Sequence, residues 1–250
     1  MEQTDAVQLR IEGGVATITL CRPEKANALQ PGDMHLVAGM IGNLSAAGEA
    51  GVIVLTAAGD RHFCAGLDLS RSDLIAADVM NGGPTGLGAV LRAARHCALP
   101  VIGRINGVCV GGGMGLMAAC DVIIATAHAR FELPEIRAGQ VPYVVTVPLA
   151  RRLPPAVLSD LAFGTPLSAN RALELGLVSA VVPAGELDDA VAQRAASCLA
   201  LGPAARANLV RQLRTMLWTD EDFEAQLQAA EDRLRATYFQ RETANNIPVQ

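Results

Sequence analysis

Two glycine-rich segments and one glutamate hold the residues of this sequence that could perform chemistry. The first segment covers residues 62–69, the second covers residues 106–115, and the glutamate is Glu135. Each segment follows a short apolar stretch and is predicted to open a helix, where backbone N–H groups lack partners inside the helix. Two helix starts that meet would hold negative charge developing on an oxygen, and a carboxylate beside them could move protons. The pattern therefore predicts a reaction that passes through an enolate.

The elements that must position these residues alternate between strands and helices. Gly13 and Gly14, between two stretches of alternating polarity, predict a hairpin, and a continuous apolar run predicts a buried strand. The alternation as a whole predicts an α/β fold with parallel strand pairing. The predicted strands are residues 7–11, 15–20, 52–55, 100–103 and 121–125, the predicted helices are residues 31–44, 88–95 and 112–119, and residues 71–86 are predicted to form a mobile loop.

From about residue 186 the strand pattern stops and helical periodicity continues toward the C-terminus. The helical stretches are residues 187–201, 203–217 and 220–239. We therefore divide the chain into an α/β core at residues 1–185 and a helical region at residues 186–250. Such a region is expected either to fold back on the core or to pack on neighbouring subunits.

Composition excludes several classes of function. The chain has 250 residues, a formal net charge of −5 and 3% aromatic residues, which gives no reason to expect a nucleic-acid partner. The apolar runs are too short to cross a membrane, and the acidic N-terminal stretch does not match a signal peptide; we therefore expect a cytoplasmic protein. Lys25 is the single lysine among twenty basic residues. It does not stand in a Gly-Lys-Ser/Thr loop, which excludes phosphate-loop chemistry.

Other chemical sites are not supported by the spacing of reactive residues. His62 lies close to Cys64 in the sequence, but no third group that could orient a nucleophile is evident. The sequence has no G-x-S-x-G elbow, no G-x-G-x-x-G turn and no metal-ligand spacing. The six scattered cysteines are expected to be reduced and mostly buried.

The order of several short motifs resembles that of the crotonase family, the enoyl-CoA hydratase/isomerase superfamily. The resemblance extends over residues 7–183 and implies a spiral of ββα units, a C-terminal helical trimerisation region and a homotrimer or a hexamer of two trimers. It also implies an acyl-CoA thioester substrate, with coenzyme A as part of the substrate and no separate cofactor. The motifs are Arg-Pro-Glu-Lys-Ala-Asn-Ala-Leu at 22–29, Val-Leu-Thr at 54–56, Phe-Cys-Ala-Gly-Leu-Asp-Leu at 63–69, Ile-Asn-Gly through Gly-Gly-Gly at 105–113, Cys-Asp at 120–121, Phe-Glu-Leu-Pro-Glu at 131–135 and Ala-Leu-Glu-Leu-Gly-Leu-Val at 172–178.

The resemblance also implies roles for individual residues. By position, the backbone N–H groups of Leu67 and Gly112 form the oxyanion hole, and Glu135 is the catalytic carboxylate. Residues expected at the CoA moiety are Lys25, Ala26, Ala65 and Arg71, and residues expected to line the acyl pocket are Leu87, Met114 and Tyr143. From the residues alone, the two basic side chains could equally be solvated surface charges, and the pocket residues could be plain core.

One departure from the family pattern decides which reactions are possible. The two-carboxylate hydratases of the family carry a glutamate where this chain has Gly115. One carboxylate can still hydrate a 2-enoyl thioester if a single water is both nucleophile and proton source, and a 3-to-2 double-bond shift needs one base only. We favour the hydratase, keep the isomerase as an alternative, and consider a catalytically silent acyl-CoA-binding subunit as an alternative of a different class. The chain also ends, at residues 243–250, without the Phe-x-x-Lys-Arg helix that is usual in the family.

Overall fold

Two sheets form the core of the protein in the computed structural model, which describes residues 4–216 and 218–245. The larger sheet has six strands in the order β1-β2-β3-β5-β7-β10, and the smaller has four in the order β4-β6-β8-β9. Within the described residues the strands are β1 Val7–Glu12, β2 Val15–Leu20, β3 Val52–Ala57, β4 His62–Cys64, β5 Val101–Ile105, β6 Val108–Val110, β7 Val122–Thr126, β8 Arg130–Glu132, β9 Leu167–Ser168 and β10 Ala180–Val182.

The predicted hairpin and parallel pairing are both confirmed. Strands β1 and β2 are antiparallel, with Glu12 opposite Val15, and Gly13 and Gly14 have φ angles of +57° and +80°. A two-residue turn of this kind requires positive φ at both positions, which explains the glycine pair. Strands β2, β3, β5, β7 and β10 then pair in parallel, and all six residues of β3 are buried, as its uninterrupted apolar sequence predicts.

Ten α-helices surround these sheets within the described residues. Helix α3 begins after Thr85, whose side chain accepts a hydrogen bond from the backbone N–H of Gly88, the usual arrangement at a helix start. The helices are α1 Pro31–Ala47, α2 Ser72–Met80, α3 Gly86–His96, α4 Gly112–Ala118, α5 Tyr143–Leu149, α6 Pro155–Ala162, α7 Ala169–Glu174, α8 Leu187–Leu199, α9 Pro203–Thr215 and α10 Asp220–Asn245.

The prediction of a mobile loop at residues 71–86 was wrong. Nine of these residues form α2, which buries Ile75 and Val79 and packs against α1 and α10. The helix is short and only two of its residues are buried, which is too little for a periodic pattern that distinguishes a helix from a loop. The strands of the smaller sheet, two or three residues long, were missed for the same reason.

The C-terminal helices fold back on the core of the same chain. Helix α8 buries Leu187, Val191 and Ala195 in one cluster with apolar residues of β3, β5 and β7. Helix α10 packs on α5 and α2 and also contacts α3. The helical region predicted after residue 186 is therefore present. Parts of the predicted elements lie outside the described residues. They are residues 1–3 of the predicted core, residues 246–250 of the predicted helical region, and Leu217 at the end of a predicted helix.

Most of the cysteines are buried, as expected. All six lie within the described residues, none forms a disulfide, four are buried, and Cys21 and Cys198 are half-buried. In residues 4–216 and 218–245, the helices are all too short or too polar to cross a membrane.

Candidate active site

The two glycine-rich segments meet where β4 and β6 end side by side. These strands pair in parallel, with His62 opposite Val108 and Cys64 opposite Cys109. Beyond them, a Cβ atom added to Gly66 would lie 2.8 Å from the backbone nitrogen of Gly112. Gly66 also has a φ angle of +84°, so both the conformation and the close approach require glycine. The sequence order strand, glycine turn, helix thus brings the two segments together.

Two backbone N–H groups at this meeting point have no hydrogen-bond partner in the described part of the chain. Leu29 and Leu67 form an isolated parallel bridge. The N–H of Leu29 donates to the Gly66 carbonyl and the carbonyl of Leu29 accepts from the Asp68 N–H, each over 2.8 Å. The N–H of Leu67 therefore points away from Leu29. Gly112 is the first residue of α4, where an N–H has no acceptor inside the helix. Among the described residues neither N–H forms a hydrogen bond. A Cβ atom added to Gly112 would lie 3.8 Å from the nitrogen of Leu67, so the two donors are neighbours.

Glu135 lies beside this pair of donors. It is the first residue of a short 3-10 turn, Glu135–Ala138, that follows β8. A Cβ atom added to Gly111 would lie 3.3 Å from Oε1 of Glu135, and the φ angle of Gly111 is +54°. The other carboxyl oxygen, Oε2, is buried and forms no hydrogen bond within the described residues. Burial raises the pKa of the Glu135 carboxyl, because desolvation disfavours the charged form.

An ion pair that the sequence analysis missed braces the turn carrying Glu135. Glu132, the last residue of β8, is buried. It forms an ion pair with Arg137, which follows Glu135 in the chain, so the pair spans the start of the turn. The backbone carbonyl of Glu132 also accepts a hydrogen bond of 3.0 Å from Gly111. The one available signal was the position of Glu132 between Phe131 and Leu133, because a charged residue that is buried with apolar neighbours needs a partner.

The space beside Gly115 is occupied by Leu87. A Cβ atom added to Gly115 would lie 2.8 Å and 2.9 Å from the two terminal carbons of Leu87. Leu87 is the second residue of α3 and is buried. Where two-carboxylate members of the family carry a glutamate, this chain therefore presents an apolar wall, and a larger residue at position 115 requires Leu87 to move.

The other residues expected in the acyl pocket lie in different surroundings. Met114 is fully buried in the main hydrophobic core. Tyr143 begins α5, and its hydroxyl accepts a hydrogen bond of 3.3 Å from Thr237 of α10. Leu87 contacts the second glycine-rich segment at Gly115 and Met114 belongs to that segment, and the roles of Leu87, Met114 and Tyr143 in an acyl pocket stay predictions.

Three of the four residues expected at CoA are adjacent to the unpaired amides. The Ala65 N–H donates to the Ala26 carbonyl over 3.0 Å, and Lys25 Nζ lies 3.1 Å from a carboxyl oxygen of Asp68. Arg71 lies on an exposed turn and bonds to Asp73. Lys25 and Arg71 therefore each have a carboxylate neighbour within the chain.

Asp68 braces the turn that follows Leu67. Its carboxyl group accepts hydrogen bonds from the Ser70 hydroxyl at 2.6 Å and from the Ser70 backbone at 3.2 Å. The Ser70 hydroxyl and then Lys25 lower the pKa of Asp68 to about 2. The carboxylate stays ionised at neutral pH and caps the turn that follows Leu67.

Cys64 does not meet the requirements of a nucleophile. It is fully buried, and burial raises the pKa of its thiol to about 12, so no reactive thiolate forms near neutral pH. Among the described residues, no three His, Cys, Asp or Glu side chains come close enough to hold a metal ion.

Comparison with known proteins gives one consistent family. Residues 10–246 match the family model described as enoyl-CoA hydratase/isomerase. A carnitinyl-CoA dehydratase of Proteus mirabilis is 36% identical over 197 residues, which cover 77% of this chain and 74% of that protein. A short-chain-enoyl-CoA hydratase of Clostridium acetobutylicum is 34% identical over 185 residues, which cover 72% and 70%. The solved structure of a carnitinyl-CoA dehydratase from Mycobacterium avium superimposes with a TM-score of 0.80 at 28% identity, covering 97% of this chain and 95% of that one.

Proposed function

Because the chain belongs to the enoyl-CoA hydratase/isomerase family, we propose that it hydrates a 2-enoyl-CoA thioester with Glu135 as its single acid–base group. The observation that carries this proposal is the position of Glu135, whose Oε2 is buried without a hydrogen-bond partner among the described residues, beside the N–H groups of Leu67 and Gly112, which form no hydrogen bond within those residues either. The similar proteins named hydratase and dehydratase favour the same type of reaction, the addition or removal of water.

In the proposed reaction, the thioester carbonyl oxygen accepts hydrogen bonds from both N–H groups. Fixed donors of this kind stabilise the charge that grows on the oxygen as the enolate forms. Glu135 removes a proton from one water as the water oxygen attacks C3, and returns that proton to C2. The carboxylate is regenerated, and the elements of one water are added across the double bond. A raised pKa suits a group that must both accept and donate a proton near neutral pH.

The isomerase alternative is favoured by one specific observation. Leu87 fills the space beside Gly115, so that side of the site offers no polar group to hold an attacking water. A shift of the double bond from position 3 to position 2 needs no water: Glu135 would remove a C2 proton and return it at C4. The same two amides would stabilise the same enolate.

The substrate-binding residues and the assembly belong to this proposal as well. Lys25 and Arg71 would meet the phosphates of CoA, with Ala26 and Ala65 beside the thioester arm, and Leu87, Met114 and Tyr143 would border the acyl group. Coenzyme A would be part of the substrate, and no separate cofactor takes part in the steps above. The working assembly would be a homotrimer or a hexamer of two trimers.

Three thioesters separate the candidate functions. The protein is mixed with crotonyl-CoA, 3-hexenoyl-CoA or 3-methylglutaconyl-CoA, and the absorbance of the conjugated enoyl thioester is followed. Loss of absorbance with crotonyl-CoA or 3-methylglutaconyl-CoA supports the hydratase, while a gain with 3-hexenoyl-CoA supports the isomerase. CoA binding without either change would reject both and support the silent acyl-CoA-binding subunit.

A further inference from the structure

A cavity lies at the C-terminal end of α4, the end opposite to Gly112. It has a volume of about 320 Å³ and is lined by residues from α3, α9 and the chain that follows α4 and α5. Helix α4 has seven residues, which places this cavity roughly 10 Å from the oxyanion donors. Four guanidinium groups face it, those of Arg95, Arg151, Arg152 and Arg214.

The positive charge of this cavity is only partly balanced. Arg214 forms two hydrogen bonds of 2.8 Å and 2.5 Å with Asp121, and Arg95 forms one of 2.8 Å with Asp220. Of the described residues that line the cavity, Asp121 is the single acid. Arg151 and Arg152 form no ion pair with any carboxylate in the described part of the chain.

These two arginines also have unused hydrogen-bond donors. Arg152 donates through Nε and one terminal nitrogen to the carbonyls of Ala118 and Cys120. Arg151 donates through one terminal nitrogen to the Arg214 carbonyl at 3.1 Å, and its Nε is buried with no acceptor among the described residues. In each guanidinium the second terminal nitrogen forms no hydrogen bond within those residues.

Electrostatics at Arg151 point the same way. Burial, followed by the charges of Arg95 and Arg152, lowers the pKa of Arg151 to about 10, and the charge of Asp121 opposes this shift only in part. The side chain stays charged at neutral pH. Asp121 is paired with Arg214, so the cavity holds a partly desolvated cation that has no ion-pair partner of its own among the described residues. An anion there would restore both the missing charge and the missing hydrogen-bond acceptors.

We propose that this cavity binds a small oxyanion, a phosphate or carboxylate group, held by Arg151 and Arg152. The planar guanidinium suits both ligands because its N–H groups can meet two oxygens at once. The site lies away from Glu135 and is independent of the function proposed above.

Trp218 provides a direct readout of this site. It is the only tryptophan of the chain, and the guanidinium carbon of Arg151 lies 5.6 Å from the centre of its ring. Potassium phosphate and, in a separate series, potassium succinate are titrated into the protein at ionic strength held constant with chloride, and tryptophan emission is recorded. We expect a saturable change with at least one of them and an apparent Kd of about 1 mM or lower, the range of a weak specific ligand. The series that saturates at lower concentration identifies phosphate or carboxylate as the preferred group.

Substitutions test the assignment to particular residues. Arg151→Gln and Arg152→Gln should each weaken binding at least tenfold, roughly the loss of a charge-assisted hydrogen bond. Arg151→Lys, which keeps the charge without the fork, should bind with intermediate affinity. The matched control is Arg10→Gln, which removes a charge from an exposed pair on β1 and should bind like the wild type.

Several results would overturn the proposal. The wild-type titration is decisive even if a variant fails to fold: a response that does not saturate, or one that chloride produces equally well, excludes the site. Equal binding by the glutamine variants and the Arg10→Gln control would place the anion elsewhere. If neither anion binds and Arg151→Gln dissociates an oligomer in light scattering, the guanidinium is paired with a carboxylate of another copy instead.

Discussion

Replacement of Glu135 by glutamine should remove most of the activity without disturbing the fold. Glutamine has the same shape but cannot accept and return a proton, and Gly115 supplies no second carboxylate to take over. Loss of a general acid–base group lowers turnover by about 10²- to 10⁴-fold, which corresponds to roughly 3–5 kcal/mol of activation free energy. The N–H groups of Leu67 and Gly112 remain, so KM should change much less than kcat.

The same substitution has a pH-dependent effect on stability whose sign follows from the raised pKa. Because burial raises the pKa of Glu135 in the folded chain, the folded state binds this proton more tightly than the unfolded state. The contribution of Glu135 to stability is therefore most favourable below the unfolded pKa of about 4.3. It declines as the pH rises toward the folded pKa and is constant above it. Glutamine does not ionise, so the Glu135→Gln variant should be more stable than the wild type at pH 7 and nearly equal to it at pH 4.

Two measurements check this pair of expectations. Turnover is measured with whichever thioester the wild type accepts, and the free energy of unfolding is measured by urea titration at pH 4 and pH 7. Glu49→Gln is the control, because Glu49 is exposed and lies in the connection after α1; it should change neither quantity. Near-normal turnover of Glu135→Gln would refute the catalytic role. A change of stability of equal size at both pH values would show that the pKa of Glu135 is not raised in the folded protein.

Three further substitutions test the surrounding geometry. Gly66→Ala should abolish activity and cost about 1–3 kcal/mol in urea unfolding, because φ is +84° and the new Cβ would lie 2.8 Å from the Gly112 nitrogen. Gly115→Ala should destabilise the wild type, and the same substitution should cost less stability when it is made in the Leu87→Ala variant. A double-mutant cycle measures this coupling. Lys25→Gln should raise KM for CoA thioesters more than it lowers kcat. It should also move acid unfolding, followed by circular dichroism, to higher pH, because it removes one of the groups that keep the carboxylate of Asp68 ionised down to about pH 2.

Each of these expectations has a contradicting result. Full activity of Gly66→Ala would mean that the two segments do not need their present close approach. Additive effects in the cycle of Gly115 and Leu87 would show that these residues do not share the space between them. If Lys25→Gln lowers kcat at unchanged KM, the lysine acts on the reaction and not on CoA binding.

The parts of the site that the sequence predicted are those fixed by local backbone chemistry. Gly66 and Gly111 stand in conformations that other residues rarely adopt, so a glycine in a strand–turn–helix pattern carries structural information by itself. The helix start at Gly112 follows from the same pattern. Glu135 was predicted as the catalytic carboxylate because it ends the Phe-Glu-Leu-Pro-Glu motif at 131–135, which resembles the corresponding motif of the family.

The parts that the sequence did not predict depend on contacts between distant residues. Leu87 and Gly115 are 28 positions apart, and nothing in either local pattern shows that one fills the space beside the other. The buried pairing of Glu231 with Thr85 joins residues 146 positions apart. Helix α2 was missed because its stability comes from packing against α1 and α10 and not from a periodic pattern of its own.

Helix α10 folds back on α3 and carries a buried glutamate, Glu231, that contacts the start of α3. This contact also bears on the position of Leu87, the apolar residue beside Gly115. Glu231 is fully buried, yet it accepts hydrogen bonds from the N–H and hydroxyl of Thr85 at 2.7 Å and 2.9 Å and from Arg92 at 2.9 Å. Its charge also lies at the N-terminal end of α3, where the helix dipole favours an anion. Since Thr85 caps α3 and Leu87 is the second residue of that helix, the C-terminal helix holds in place the side chain that fills the space beside Gly115. The apolar wall beside Gly115 thus depends on Glu231 of the C-terminal helix as well as on the glycine itself.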